Sequence, residues 1–336
     1  MMNHVVAHIN GWGSYLPARR VDNDYFSASL DTSDEWIRSR TGILERRFAA
    51  AEEYPSDMGA KASLAALERA GFSIDQVDLI LVATMSGDYL TPSTAVLLQQ
   101  QLGSSAPAMD LQAACSGFLY ALCTAKAFVE SQLYECILVV ATEKMSALLD
   151  FEDRTTCVLF GDGAAAVLVS AQPKGLKLQQ HHLGADGRGA ELVMIPGGGS
   201  RHPFSMEQLE PKMHHFKMQG RELFKQAVRA SEASARLCLA SAALEPSALR
   251  WLVPHQNNRR MMDAIAKAIG LPNEKVASVV ERYGNTSSAG VAIALAELCD
   301  QDQVAMGDRL LLSVCGGGLT WGSLLLECAS ELHHPF

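Results

Sequence analysis

The sequence predicts an α/β fold built from two similar halves, and three observations predict it. Short, continuous apolar runs bounded by Gly, Pro or charge recur along the chain and read as strands buried on both faces. Helical patterns lie between them, the alternation that builds α/β layers around mixed sheets. A shift of 172 residues also brings one half of the chain into register with the other.

Taken in chain order, the first helical pattern is 58–71, "MGAKASLAALERAG", followed by the strand "DLILVAT" at 78–84. Residues 110–114 read as the end of a buried segment, and 117–131 as a helix packed on most sides. "CILVVAT" (136–142) and "AAAVLVS" (164–170) are the next strands. The second half repeats the alternation. A helix spans 219–241, the strand "RWLVPH" 250–255, and helices 258–269 and 288–299. The strands "RLLLSV" (309–314) and "GSLLLEC" (322–328) close the chain.

Under the 172-residue shift, "VDLILVA" (77–83) lies over "LRWLVPH" (249–255). "ACSG" (114–117) lies over "TSSA" (286–289), and "ILVVA" (137–141) over "RLLLS" (309–313). Three segments agree on one offset without gaps. The period is too long for a solenoid, so it reads as a duplicated βαβ-type domain, residues 1–172 and 173–336. Cys115 opens a helix in the first half. His255 and Asn285 stand at strand and helix ends of the second. If the halves face each other about a pseudo-twofold axis, the three residues meet at the seam.

Bulk properties narrow the function. The chain has 336 residues, 48% hydrophobic and 19% charged, with a formal charge of −9. It is globular, and the negative charge argues against nucleic acid as a partner. The N-terminal residues lack the basic and apolar regions of a secretory signal, and no apolar run reaches the roughly 18 residues of a membrane span. Eight cysteines without a CxxC, mostly in apolar segments, fit reduced thiols in the cytoplasm. No His or Cys spacing suggests a metal site.

Four segments carry candidate chemistry. Cys115 in "AACSGF" sits where a helix begins, and a helix N-terminus biases a thiol toward thiolate. Its small neighbours Ala113, Ala114, Ser116 and Gly117 leave room for a substrate. A structural core thiol is the other reading. His255 in "WLVPHQNN" follows an apolar strand, where a structural His is also common. Asn285 in "RYGNTSSAG" precedes a helix, where Asn is a good cap. "CGGGLTWGS" (315–323) is either a tight turn or a backbone N–H aimed at an oxyanion.

Taken together, "DTSDEWIRSRTGI" (31–43), "AACSGF" (113–118), "LFGDGAAAV" (159–167), "VPHQNN" (253–258), "GNTSSA" (284–289) and "GGGLTWGS" (316–323) resemble the β-ketoacyl-acyl-carrier-protein synthase III family of the thiolase superfamily. The resemblance runs from about residue 8 to 328. It implies a thiolase-like, five-layered α-β-α-β-α fold and an acyltransferase of fatty-acid synthesis. By the same resemblance Cys115 would attack the thioester of an acyl-CoA, with the N–H groups of Cys115 and Gly317 as oxyanion hole. His255 and Asn285 then stabilise the enolate formed as malonyl-acyl carrier protein loses carbon dioxide, and the enolate attacks the acyl-Cys. The implied reaction needs no metal or redox cofactor.

The resemblance also implies Trp36 and Arg154 around the CoA adenine, Arg40 at the nucleotide end, and Met218, Gly220 and Phe224 along the pantetheine tunnel. Arg259 or Arg260 would dock the acidic carrier protein, near Lys267. Leu90 and Thr91, in "GDYLTPSTA", would line the acyl pocket across a homodimer interface. Thr91 stands where members restricted to short primers carry Phe. The smaller side chain opens room for added methylenes, each worth about 0.8 kcal/mol when buried. Residues 193–215 are similar to the family's flexible entrance region, and Asn257 stands where many members have Ala. A starter synthase or acyltransferase of secondary metabolism is the alternative activity. A non-catalytic subunit of a heterodimeric synthase is disfavoured by the retained Cys115.

Overall fold

The computed structural model describes residues 5–205 and 210–332. The first half holds β1 (His8–Tyr15), β2 (Arg19–Asp22), α1 (Asp24–Ser27), α2 (Asp34–Thr41), β3 (Glu45–Phe48), α3 (Pro55–Ala70) and β4 (Leu79–Ala83). It continues through α4 (Thr94–Leu102), β5 (Ala108–Leu111), α5 (Gly117–Glu130), β6 (Cys136–Glu143) and β7 (Gly163–Ser170). The second half begins with β8 (Leu176–Ala185), β9 (Val193–Met194), β10 (Lys217–Met218), α6 (Gly220–Ser241) and β11 (Trp251–Pro254). Then come α7 (Arg259–Ile269), α8 (Val280–Tyr283), α9 (Ala289–Asp300), β12 (Arg309–Gly316) and β13 (Thr320–Cys328).

The main strands form one mixed sheet in the order β5-β4-β6-β7-β1-β8-β13-β12-β11. The halves join through two antiparallel pairs between β1 and β8, His8 with Lys177 and Ile9 with Leu176. The packing resolves into five layers because each strand sends alternate residues to opposite faces. Ile80, Val82, Leu138 and Val140 meet α3 and α4 on one outside. Leu79, Leu81, Ile137 and Val139 turn the other way, onto α5 and α9. Leu310, Leu312, Leu324 and Leu326 of the second half pack on that same central pair of helices. Leu252, Leu311 and Leu325 face outward onto α6 and α7. The α/β class and the layered arrangement expected from sequence are therefore present.

The 172-residue offset holds for β4 over β11 and for α5 over α9, which begin at Gly117 and Ala289. It fails by one residue at the third segment. Leu79 pairs with Ile137, whereas Trp251, its counterpart, pairs with Leu310. The offset there is 173. A one-residue slip inverts a strand, so an ungapped match would have turned Leu310 and Leu312 away from α5 and α9.

Several elements lack a clear sequence pattern. In β1, "HINGWGSY", Gly11 and Gly13 occupy the face against α3. A Cβ at Gly11 would lie 2.3 Å from the Ala66 carbonyl oxygen, and one at Gly13 2.4 Å from that of Ala62. The strand fits because two of its positions carry no side chain, which also erases its apolar signal. In β8 the polar run Gln179–His182 breaks the alternation. Residues 110–114 are not the end of a buried segment. Asp110 and Leu111 end β5, a half-exposed strand at the edge of the sheet, and 112–114 follow it.

Candidate active site

After β5 the chain makes a short 3₁₀ turn, Ala114–Ser116, and enters α5 at Gly117. Ala114 lies at φ 47°, in the left-handed region. That turn sets Cys115 at the helix N-terminus, against the end of β12 and the start of β13. Two hydrogen bonds bolt it to the glycine turn between β12 and β13. The Ser116 hydroxyl donates to the Thr320 carbonyl at 3.0 Å, and the Thr320 hydroxyl donates to that of Ala113 at 2.9 Å. The fit is close: a Cβ at Gly316 would lie 2.8 Å from the Cys115 nitrogen and 3.0 Å from that of Ser116.

His255 follows β11. Its N–H donates to the Ser313 carbonyl at 2.8 Å, which extends the parallel pairing with β12 by one residue. The imidazole is buried, and its Nδ1 has no hydrogen-bond partner among the described residues. Asn285 sits in the turn before α9. Its N–H donates to the Leu159 carbonyl at 2.8 Å, and its own carbonyl accepts from Gly161 at 3.1 Å. Its Oδ1 accepts from the Ser287 N–H at 2.9 Å. Its side-chain NH₂ has no hydrogen-bond partner among the described residues.

Cys115, His255, Asn285 and Gly317 line a single pocket. Met218, Gly220 and Phe224 form part of its wall, together with residues that sequence reasoning missed: Leu159, Phe160, Val193, Phe216 and Met261. Phe160 and Phe216 meet edge to face, 4.9 Å between centroids. The run "LFGDGAAAV" contained the signal for Leu159 and Phe160, since it pairs with the Asn285 turn. Asn257 also lines the pocket; its Oδ1 accepts from the Asn258 N–H at 2.5 Å and its Nδ2 lies 2.7 Å from Met261 Sδ. Cys315, passed over as part of a turn, is a second thiol on the same wall.

The remaining predicted residues lie apart from this pocket. Trp36 is half-buried on α2, with the Arg40 guanidinium 5.3 Å and that of Arg154 5.5 Å from its ring centroid. Arg154 is paired with Asp31 at 3.0 Å. Leu90 and Thr91 are on the outer surface of the chain, Leu90 at 85% exposure. Arg259 pairs with Asp263 at 2.8 Å and Glu281 at 3.4 Å, whereas Arg260 is exposed with no acidic partner among the described residues. In the entrance region, β9 pairs with β10, and residues 206–209 lie outside the described residues.

The electrostatics correct one expectation. Cys115 at a helix N-terminus was expected to lean toward thiolate. Burial instead pushes the thiol up to about 12, and the negative charge of Glu143 adds to this. Burial lowers His255 to about 4. Within the pocket both shifts favour the uncharged forms, a thiol and a neutral imidazole, over an ion pair. Beneath it, Glu143 at the end of β6 is fully buried, and desolvation raises its pKa. It accepts from the Ser86 hydroxyl at 2.5 Å, the Met85 N–H at 3.1 Å and the Ser288 hydroxyl at 2.7 Å.

A buried thiol, two neutral hydrogen-bonding groups and a glycine turn in one largely apolar pocket suit acyl transfer through a covalent thioester. Comparison with known proteins bears on this. Residues 109–187 match the family model described as 3-oxoacyl-[acyl-carrier-protein (ACP)] synthase III, and residues 239–328 match its C-terminal model. A β-ketoacyl-[acyl-carrier-protein] synthase III of Chlamydia muridarum is 46% identical over 323 residues, covering 96% of this chain and 99% of its own. The crystal structure of 3-oxoacyl-[acyl-carrier-protein] synthase III from Aquifex aeolicus superposes with a TM-score of 0.88 at 41% identity, covering 96% of this chain and 99% of that one. A priming β-ketosynthase of the R1128 polyketide pathway superposes at 0.90 with 35% identity, covering 98% of both chains.

Proposed function

The chain belongs to the β-ketoacyl-[acyl-carrier-protein] synthase III family, and on that premise we propose that Cys115, His255 and Asn285 carry out its decarboxylative condensation. The reaction joins an acyl-CoA primer to malonyl-acyl carrier protein, giving 3-oxoacyl-acyl carrier protein, CoA and carbon dioxide, and starts fatty-acid synthesis. The observation that carries the residue assignment is that all three, with Gly317, line one pocket whose other wall is apolar.

In the first half-reaction the Cys115 sulfur attacks the acyl-CoA carbonyl. The new C–S bond forms, the bond to CoA breaks, and the thiol proton ends on the departing CoA sulfur. The N–H groups of Cys115 and Gly317 face the oxyanion. In the second, the malonyl thioester oxygen lies between His255 and Asn285. Its negative charge grows as carbon dioxide leaves. A neutral imidazole N–H and the Asn285 NH₂ hydrogen-bond that oxygen without burying a cation. The enolate carbon then attacks the acyl-Cys, the thioester C–S bond breaks, and the Cys115 sulfur leaves as thiolate and takes up a proton from solvent. The chemistry calls for neither metal nor redox cofactor.

Trp36 and Arg154 bracket the adenine of CoA, with Arg40 beside them. An intercalated base needs about 7 Å between them, two contacts of about 3.5 Å. Arg154 therefore swings out from Trp36 on binding, leaving Asp31. Met218, Gly220 and Phe224 hold the pantetheine arm. Arg260 is favoured over Arg259 for the acidic carrier protein, since Arg259 is already paired. The chain works as a cytoplasmic homodimer in which exposed Tyr89, Leu90 and Thr91 close the partner's acyl pocket. With Thr91 in place of a large aromatic residue, the pocket takes primers longer or more branched than acetyl.

The test is a panel of acyl-CoAs, from acetyl to C10 and branched, with malonyl-carrier protein. Carbon dioxide and products are followed by mass spectrometry. The expected result is a Cys115-linked acyl group, then 3-oxoacyl-carrier protein. Absence of a Cys115 adduct overturns the residue assignment. Loading without decarboxylation favours an acyltransferase, and loading of acetyl alone overturns the primer reading.

A further inference from the structure

Ser287 is the counterpart of Cys115 under the 172-residue repeat, and the two side chains meet. The Ser287 hydroxyl donates to Cys115 Sγ at 3.6 Å, a length suited to sulfur. Ser287 is fully buried and held at φ 50°, so its backbone is fixed by the turn before α9. Its N–H holds Asn285 Oδ1. One residue thus touches the nucleophile with its side chain and orients the enolate donor with its backbone. Behind it lies Glu143, which also interacts with the Ser287 hydroxyl and binds the next residue, Ser288, through both its hydroxyl and, at 3.4 Å, its N–H.

We propose that Ser287 is a further catalytic residue of the acylation half-reaction, its hydroxyl stabilising the charge gathered by the Cys115 sulfur as the proton leaves. The proposal rests on Cys115 being the nucleophile. The attacking sulfur sits in a site that disfavours its anion. Glu143 from β6 and Cys315 from β12 are the other titratable groups that interact with Cys115, and neither supplies positive charge. His255, beyond β11, is neutral. A hydroxyl donor compensates the charge without adding a buried cation. Ser287 contributes nothing to the loss of carbon dioxide except through its backbone N–H, which a side-chain change leaves in place.

This separation defines the experiment. Ser287→Ala and Ser287→Gly both delete the hydroxyl, and Gly suits the left-handed backbone, so one variant serves if the other fails to fold. Loading of Cys115 from acyl-CoA and alkylation by iodoacetamide are measured from pH 6 to 9, alongside decarboxylation of malonyl-carrier protein in the absence of primer. A lost hydrogen bond to a charged group predicts loading and alkylation about 10- to 100-fold slower at each pH. The alkylation profile moves to higher pH, and decarboxylation stays within about threefold of the parent protein. Unchanged loading and alkylation would overturn the proposal. So would equal loss in all three reactions, which would mean that Ser287 only packs the turn. A parent protein with no adduct at Cys115 would instead sink the nucleophile assignment, and this proposal with it.

Discussion

Replacing His255 with Gln should remove a specific part of the protein's acid sensitivity. The imidazole is buried, no acid pairs with it among the described residues, and burial takes its pKa from 6.5 to about 4. The folded value lies below the unfolded one, so between them the unfolded chain binds more protons. The stability due to neutral His255 is therefore complete above pH 6.5 and is lost as pH falls toward 4. The whole interval corresponds to about 3 kcal/mol, of which about 2 kcal/mol is gone by pH 5. Urea unfolding of both proteins at pH 7.5 and 5.0 measures it. The parent should lose about 2 kcal/mol more than His255→Gln over that interval. His8 and His181, also lowered by burial, are common to both and cancel. Equal losses would refute the claim that the fold holds His255 neutral, and with it the use of a neutral donor at the enolate.

Gly316→Ala places a methyl 2.8 Å from the Cys115 nitrogen, against backbone that cannot rotate away; stability should fall by about 1–3 kcal/mol, and the burst of CoA released on Cys115 loading should fall with it. Arg260→Glu should raise KM for malonyl-carrier protein and flatten its salt dependence while leaving KM for acyl-CoA unchanged. Arg259→Glu, which breaks the pairs with Asp263 and Glu281, should also lower the unfolding midpoint in urea, by up to about 1 kcal/mol of stability.

The sequence by itself determined the elements whose signal is local. Runs such as "CILVVAT" and "RLLLSV" are apolar on both faces because their strands lie between two layers of helices, and such runs are legible without a partner. The repeat was legible too, and it placed Cys115, His255 and Asn285 at one seam. The structure decided what depends on distant neighbours. β1 was hidden because Gly11 and Gly13 are determined by the approach of α3, not by their own chemistry. The one-residue slip at β12 became visible only when strand pairing fixed which face each leucine takes. The charge state of Cys115 was misjudged because a helix N-terminus can be read from sequence, whereas desolvation and the nearby Glu143 are properties of the assembled layers. The same holds for Ser287: the repeat set it opposite Cys115, but only the folded turn brings its hydroxyl to the sulfur, because contact depends on the path of the backbone between aligned positions.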